Sequence, residues 1–238
     1  MTRPRPRSER GRFCHPRRQY GHSELGAPLL YFPAQNLDDS RAQPSIVMAG
    51  THGDETASVV ALSCALRSLP ADQLRHHVIL AVNPDGCQLG LRANARGVDL
   101  NRNFATANWT PDGSVYRWSS TAQERDVKLA TGACGGSEAE TAALCQLIEQ
   151  LAPPWVVSIH EPLACIEDAG NSPLGQWLAG GMELPLVAGL DYETPGSFGS
   201  WCAERALPCI TVELPPISAD AACEQYLQTL LGLLTWSG

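Results

Sequence analysis

Residues 46–49 read Ile-Val-Met-Ala, an unbroken apolar run, and the six that follow, Gly50-Thr51-His52-Gly53-Asp54-Glu55, lead straight into a helical pattern. A strand with no polar alternation is buried on both faces, which is the situation of a strand inside a sheet covered by helices on both sides. The strand is predicted over 45–49 behind Pro44, and apolar residues at 59, 62, 66 and 69 stripe one side of a helix over 56–69 that Pro70 ends. One strand, one tight turn and one helix therefore set the unit from which the chain is built.

The unit recurs. A short strand is expected over 28–32, a polar loop over 36–43, and a strand over 77–82 closed by Asn83-Pro84-Asp85-Gly86, a turn signature. A helix is predicted over 137–151, with Ser137 as its N-cap and Glu140 completing a capping box, and Pro153-Pro154 breaks it. Extended runs over 155–159, 184–187 and 209–212 alternate with helical ones over 171–178, 197–205 and 219–234. The pattern predicts an α/β fold, a three-layer α/β/α sandwich around a central mixed, largely parallel sheet. At 238 residues one catalytic domain over 21–238 accounts for the chain, behind a basic Arg/Pro-rich tail over 1–20.

Charge and cysteine usage exclude several classes. The formal charge of −8 divides unevenly, because residues 1–18 hold seven Arg and one Glu, leaving −14 for the rest. An acidic body argues against a nucleic-acid partner. Nine Cys with no Cys-x-x-Cys pair fit reduced thiols rather than a disulfide framework or a structural zinc knuckle. No apolar segment follows the basic terminus and no run approaches about 18 apolar residues, so no membrane association is expected and the protein is read as soluble and cytoplasmic.

Candidate chemistry sits at strand ends, where ligands gather in such sheets. His52 and Glu55 lie three residues apart at the first strand-to-helix turn, a spacing that lets an imidazole and a carboxylate meet at one metal ion. With 25 acidic residues and six His, about half of one such match is expected by chance, so the turn needs corroboration. His160 supplies it, as a His that closes an apolar strand, and it completes a His₂Glu set for one Zn²⁺ per chain. Glu213, at the end of another apolar strand, is placed to act as general base beside the metal. Asn101 and Arg102 offer a bidentate site for a carboxylate, Arg92 or Arg96 a guanidinium for developing oxyanion charge, and Tyr192 a phenol over the substrate. Taken singly, each has a bland explanation as a satisfied His, a solvated Glu or a surface turn.

Together and in this order, these residues resemble the zinc carboxypeptidase family of carboxypeptidase A. The resemblance matches His52, Glu55 and His160 to the metal ligands, Asn101-Arg102 within Val98-Asp99-Leu100-Asn101-Arg102-Asn103-Phe104 to the carboxylate site, and Glu213 to the base. It favours Arg92 over Arg96 as the transition-state arginine, and Trp201, nine residues after Tyr192, supports the match of that tyrosine to the family's mobile one. The phrases from Gly50 to Glu55, Asn83 to Arg92 and Tyr192 to Trp201 are similar to a bacterial branch of the family, amidases acting on murein peptides. That likeness implies hydrolysis of the γ-D-glutamyl to meso-diaminopimelate bond in L-Ala-γ-D-Glu-meso-diaminopimelate during cell-wall peptide recycling. It implies a small peptide partner with a free C-terminal diaminopimelate, acted on by a monomer or homodimer.

Two positions depart from the digestive members of the family. Glu161, beside His160, is acidic where they carry a small polar residue, and the position that sets side-chain preference falls near Gly199, which leaves room without charge. Two rival readings remain: a zinc deacylase of the aspartoacylase or succinylglutamate desuccinylase type acting on a small N-acyl amino acid, and a non-catalytic muropeptide-binding protein.

Overall fold

The computed structural model describes residues 4–35, 43–117, 123 and 126–238. Most of the loop expected over 36–43 therefore lies outside the described residues. Strands are β1 (Arg18–His22), β2 (Pro28–Tyr31), β3 (Ile46–Ala49), β4 (His77–Ile79), β5 (Ser114–Arg117), β6 (Asp126–Leu129), β7 (Val156–His160), β8 (Cys165–Glu167), β9 (Leu186–Val187) and β10 (Cys209–Glu213). Helices are α1 (Thr56–Ser68), α2 (Pro84–Leu89), α3 (Ala139–Leu151), α4 (Pro173–Met182), α5 (Phe198–Glu204) and α6 (Ala219–Leu234).

The central sheet runs in the order β4-β3-β7-β10-β8-β9. β4, β3, β7 and β10 are parallel, β8 is antiparallel to β10, and β9 follows β8 in parallel. This is the mixed, largely parallel sheet expected from the sequence. Side chains alternate between two apolar layers, as the period of two along a strand requires. Val47, Ala49, Val157, Ile159 and Val212 face α1, α4 and α6, while Ile46, Met48 and Val156 face α3 and α5. Both layers are closed, so β3 is buried at every position.

Several local expectations change. Asn83-Pro84-Asp85-Gly86 opens α2 rather than a free turn: Asn83 caps it by accepting from Gly86 N at 2.8 Å, Pro84 takes the first turn, and Gly90 ends it in the left-handed region. Asn and Pro serve helix starts as readily as turns. The capping box at α3 does not form. The N-cap is Glu138 with no side-chain cap bond, because Ser137 Oγ donates to Glu138 at 2.8 Å and Glu140 accepts from Glu24 N and Asn94 Nδ2. The basic segment expected as a tail over 1–20 is, from Pro4 onward, largely exposed but docks on the domain at several points. Arg5 donates from its backbone to Ser68 O and from its guanidinium to Arg67 O, Phe13 stacks on Phe32 at 5.3 Å, and β1 pairs with β2. A guanidinium at the last turn of α1 satisfies carbonyls that the helix leaves unpaired.

Candidate active site

The parallel strands end together, and the register decides what meets there. His160 closes β7 beside Glu213 on β10, and β3, the other neighbour of β7, delivers the turn that carries His52 and Glu55. Nδ1 of His52 lies 2.6 Å from Glu55 Oε1, and Nδ1 of His160 lies 2.9 Å from Glu55 Oε2. One donor atom from each of the three residues falls within 4.8 Å of the others, and all three residues are buried. Burial alone would raise the Glu55 carboxyl; the imidazoles of His52 and His160 outweigh it and hold it well below the ordinary carboxylate range. Burial disfavours the imidazolium of His52, but Glu55 and Asp99, opposed by Arg92, raise it to about 9.

The far nitrogens of both imidazoles are occupied. Nε2 of His52 lies 3.2 Å from Asp99 Oδ1, and Nε2 of His160 lies 3.0 Å from Ser158 Oγ. Partners on the outer nitrogens fix ring orientation and leave Nδ1 of each ring as the inward donor. Two nitrogen donors and a carboxylate, all buried and oriented from behind, form a set that fits Zn²⁺ with a position left open. Asp99 was missed by the sequence reading although it lies inside the quoted Val98 to Phe104 phrase. Its role depends on the chain returning across 47 residues, for which no local signal exists.

Arg92 reaches the same point. Its guanidinium donates to Glu55 Oε1 at 3.1 Å, lies 3.7 Å from Asp99 Oδ2 and sits 5.2 Å over the ring of Tyr116 on β5. Arg96 does not: it pairs with Glu24 and Glu138 on the far side of the loop. Of the two candidate arginines, only Arg92 stands at the donor cluster. Asp99 Oδ1 also accepts from Asn101 N at 3.0 Å, which starts the short 3₁₀ turn Leu100–Arg102 and ties the Asn-Arg pair to the His52 side.

Asn101 Oδ1 accepts from Phe198 N at 2.9 Å, so its amide nitrogen is left to donate elsewhere. Arg102 donates to the Asn101 carbonyl at 2.6 Å and has no carboxylate partner among the described residues. Glu213 is buried, and burial raises its carboxyl above the ordinary Glu range, with His160 opposing and Glu55 adding. Leu163 N points at it from 3.4 Å. Tyr192 is 55% exposed yet close enough to Glu213, Arg102 and Arg92 to feel their charges.

Three residues of the sequence reading take structural places. Glu161 accepts from Ser58 N at 2.9 Å and so caps the first turn of α1 from the end of the neighbouring strand β7, since Glu55, the N-cap residue, makes no cap bond. Asn83 stays outside the cluster, capping α2 and donating to Thr51 O at 3.4 Å. Trp201 is core: it is 2% exposed among Phe104 and Phe198, with the Arg205 guanidinium 4.1 Å over its ring.

Comparison with known proteins shows the family to which the chain belongs. The model of the zinc carboxypeptidase family matches residues 16–162. Murein peptide amidase A of Escherichia coli K12 is 61% identical over 236 residues, covering 99% of this chain and 96% of that protein. The murein peptide amidase A of Vibrio campbellii is 58% identical over 229 residues, covering 96% and 91%. The crystal structure of a murein-tripeptide amidase from Escherichia coli O157 superposes with a TM-score of 0.93 at 60% identity, covering 100% of this chain and 99% of that one. No helix of the described residues is long and apolar enough to cross a membrane.

Proposed function

The chain belongs to the zinc carboxypeptidase family and is an enzyme of the metallopeptidase type, and on that premise we propose that it is a cytoplasmic zinc amidase of cell-wall peptide recycling. Its proposed reaction is hydrolysis of the γ-D-glutamyl to meso-diaminopimelate bond in L-Ala-γ-D-Glu-meso-diaminopimelate. The observation that carries the reading is the convergence of His52, Glu55 and His160 within 4.8 Å at the strand ends, with Glu213 on the adjoining strand.

His52, Glu55 and His160 would hold the ion. When bound, Zn²⁺ supplies Lewis-acid polarisation of a carbonyl and lowers the pKa of water at its open position. Glu213, with its carboxyl raised by burial, accepts a proton from the attacking water and delivers it to the leaving nitrogen. Arg92 gives the carbonyl oxygen a second cationic partner as negative charge develops there. Arg102 and the free amide nitrogen of Asn101 bind the terminal carboxylate of the substrate, which makes the enzyme specific for the chain end. Tyr192, exposed at the rim, closes over the bound peptide.

Metal analysis followed by product identification tests the reading. Purified protein is expected to hold one zinc per chain, to release free diaminopimelate from the tripeptide, and to leave a tetrapeptide ending in D-Ala intact. A tetrapeptide cleaved as fast as the tripeptide would remove the end-specificity assigned to Arg102, and zinc-loaded protein inert on both would remove the amidase reading.

A further inference from the structure

A cavity of about 840 Å³ runs along the sheet face from Thr211 and Glu167, past Ser197 and Gly199, toward Trp155 and Trp236 at the start of the strands, and none of the proposed site residues lines it. Register places it relative to the chemistry. Thr211 precedes Glu213 by two residues, so the two side chains share a sheet face, while Val212 between them enters the layer of α1 and α6. Across the antiparallel ladder Glu167 lies opposite Thr211 and Cys165 opposite Glu213, and Ile166 enters the same layer as Val212. Glu167 therefore projects from the Glu213 face, diagonal to it, with β-carbons on the order of 7–8 Å apart. The phenol of Tyr192 lies within reach of the charges of both carboxylates.

The two acids at the end of β8 are employed differently. Asp168 accepts from Gly170 N, Ser172 N and Ser172 Oγ at 3.0, 2.7 and 2.7 Å, which closes the loop leading into α4. Glu167 is half-buried, and its carboxylate makes no hydrogen bond or ion pair to any described residue. A partly desolvated carboxylate without a partner is favourable only where a cation or water completes it. The opposite wall leaves space, since a β-carbon added at Gly199 would meet only Ser197 Oγ, at 3.9 Å.

What enters follows from the clamp above. With the terminal carboxylate on Arg102 and the scissile bond beside Glu213, the side chain of the last residue is directed along the sheet face into the cavity. A stem of three methylenes spans about 5 Å between its end carbons, enough to carry a terminal ammonium to Glu167. We propose that Glu167 is a specificity-determining residue that pairs with a second ammonium at the far end of the substrate's last side chain. The proposal rests on the murein-tripeptide reading of the site and names the group that reads the far amine of diaminopimelate.

The test uses full-length, zinc-loaded wild type, Glu167→Gln and Glu167→Asp on L-Ala-γ-D-Glu-X, where X is meso-diaminopimelate, L-lysine or L-norleucine. Wild type is expected to favour the first two over norleucine by roughly 10- to 100-fold in kcat/KM, the worth of a charge-assisted hydrogen bond, carried by KM. Glu167→Gln should abolish that preference while leaving norleucine turnover unchanged, and Glu167→Asp should keep most of it. Equal loss on all three peptides, or no loss on any, overturns the assignment. Wild type that hydrolyses all three without discrimination overturns Glu167 alone; wild type that hydrolyses none overturns the functional reading beneath it.

Discussion

Gly53, in the turn between His52 and Glu55, and Gly199, in the wall of the cavity, have opposite surroundings. A β-carbon at Gly53 would run into the backbone of Gly86 and Cys87, whereas one at Gly199 meets a single hydroxyl at ordinary contact distance. The turn bearing the candidate metal donors is thus seated against α2 with no spare volume, and the cavity wall is open. The difference separates two tasks. Donor positions tolerate little displacement if three residues are to meet at one ion, while a side-chain pocket works by the space it keeps.

Glu213→Gln attacks the closed end with the largest expected effect. It should lower kcat by about 10²–10⁴-fold while zinc content and KM stay near wild type, because Glu213 is not among the donors. The same carboxylate sets a pH limb. Burial raises its pKa, and the base must be deprotonated to act, so kcat/KM should climb with increasing pH through a value above the ordinary Glu range. A limb at an ordinary Glu pKa, or one that persists in Glu213→Gln, would detach the limb from this residue.

Gly53→Ala tests the closed end through packing. The methyl group would displace the turn from α2, so zinc affinity and Tm should fall together, with a stability loss on the order of 1–3 kcal/mol. Calorimetry with and without added zinc measures both, and an unchanged Tm would mean that the turn has slack the structure does not show. Arg102→Met lies between the ends. Removing a charge-assisted partner should raise KM about 10- to 100-fold and leave zinc content alone; an unchanged KM would move the carboxylate site elsewhere.

The same division governs what was legible in the sequence. His160 and Glu213 could be singled out because each closes an apolar run, and His52 and Glu55 because their spacing falls in the turn that follows one; apolar runs report strand ends directly. The turn and helix around Gly50 to Ser68 were equally plain, since Leu62 and Leu66 of the predicted stripe are buried, with Ala57, Ala61 and Ala65 widening the buried face and Leu69 buried just past the helix end. β8 was not found, because three residues cannot show an alternation, and Glu167 went unseen with it. β1 is a polar strand at the edge of a two-stranded sheet, with no apolar pattern to announce it. The capping box at Ser137 failed through a tertiary effect: Glu140, fully buried, is committed to Glu24 and Asn94. Residues whose partners are distant in sequence, Asp99 above all, carry no local mark of what they do.

Gly199→Ala carries the smallest expected effect and the sharpest contrast with Gly53→Ala. The backbone at Gly199 is outside the left-handed region, so alanine costs no strain there, and the new methyl enters open space. Helix position favours alanine over glycine, because α5 includes this residue and alanine has less backbone entropy to lose, so Tm should hold or rise by the equivalent of up to about 1 kcal/mol. One methyl group removes little of an 840 Å³ cavity, so KM for the diaminopimelate peptide should change less than about threefold, under 0.7 kcal/mol. Gly199→Leu then scales the same wall and should raise KM for long side chains while sparing kcat for a peptide ending in alanine. If Gly199→Leu left KM unchanged for long side chains, they would not be using this cavity; if Gly199→Ala lowered Tm as far as Gly53→Ala, the wall would be as tightly seated as the metal turn, and the division between a closed chemical end and an open selective one would fail.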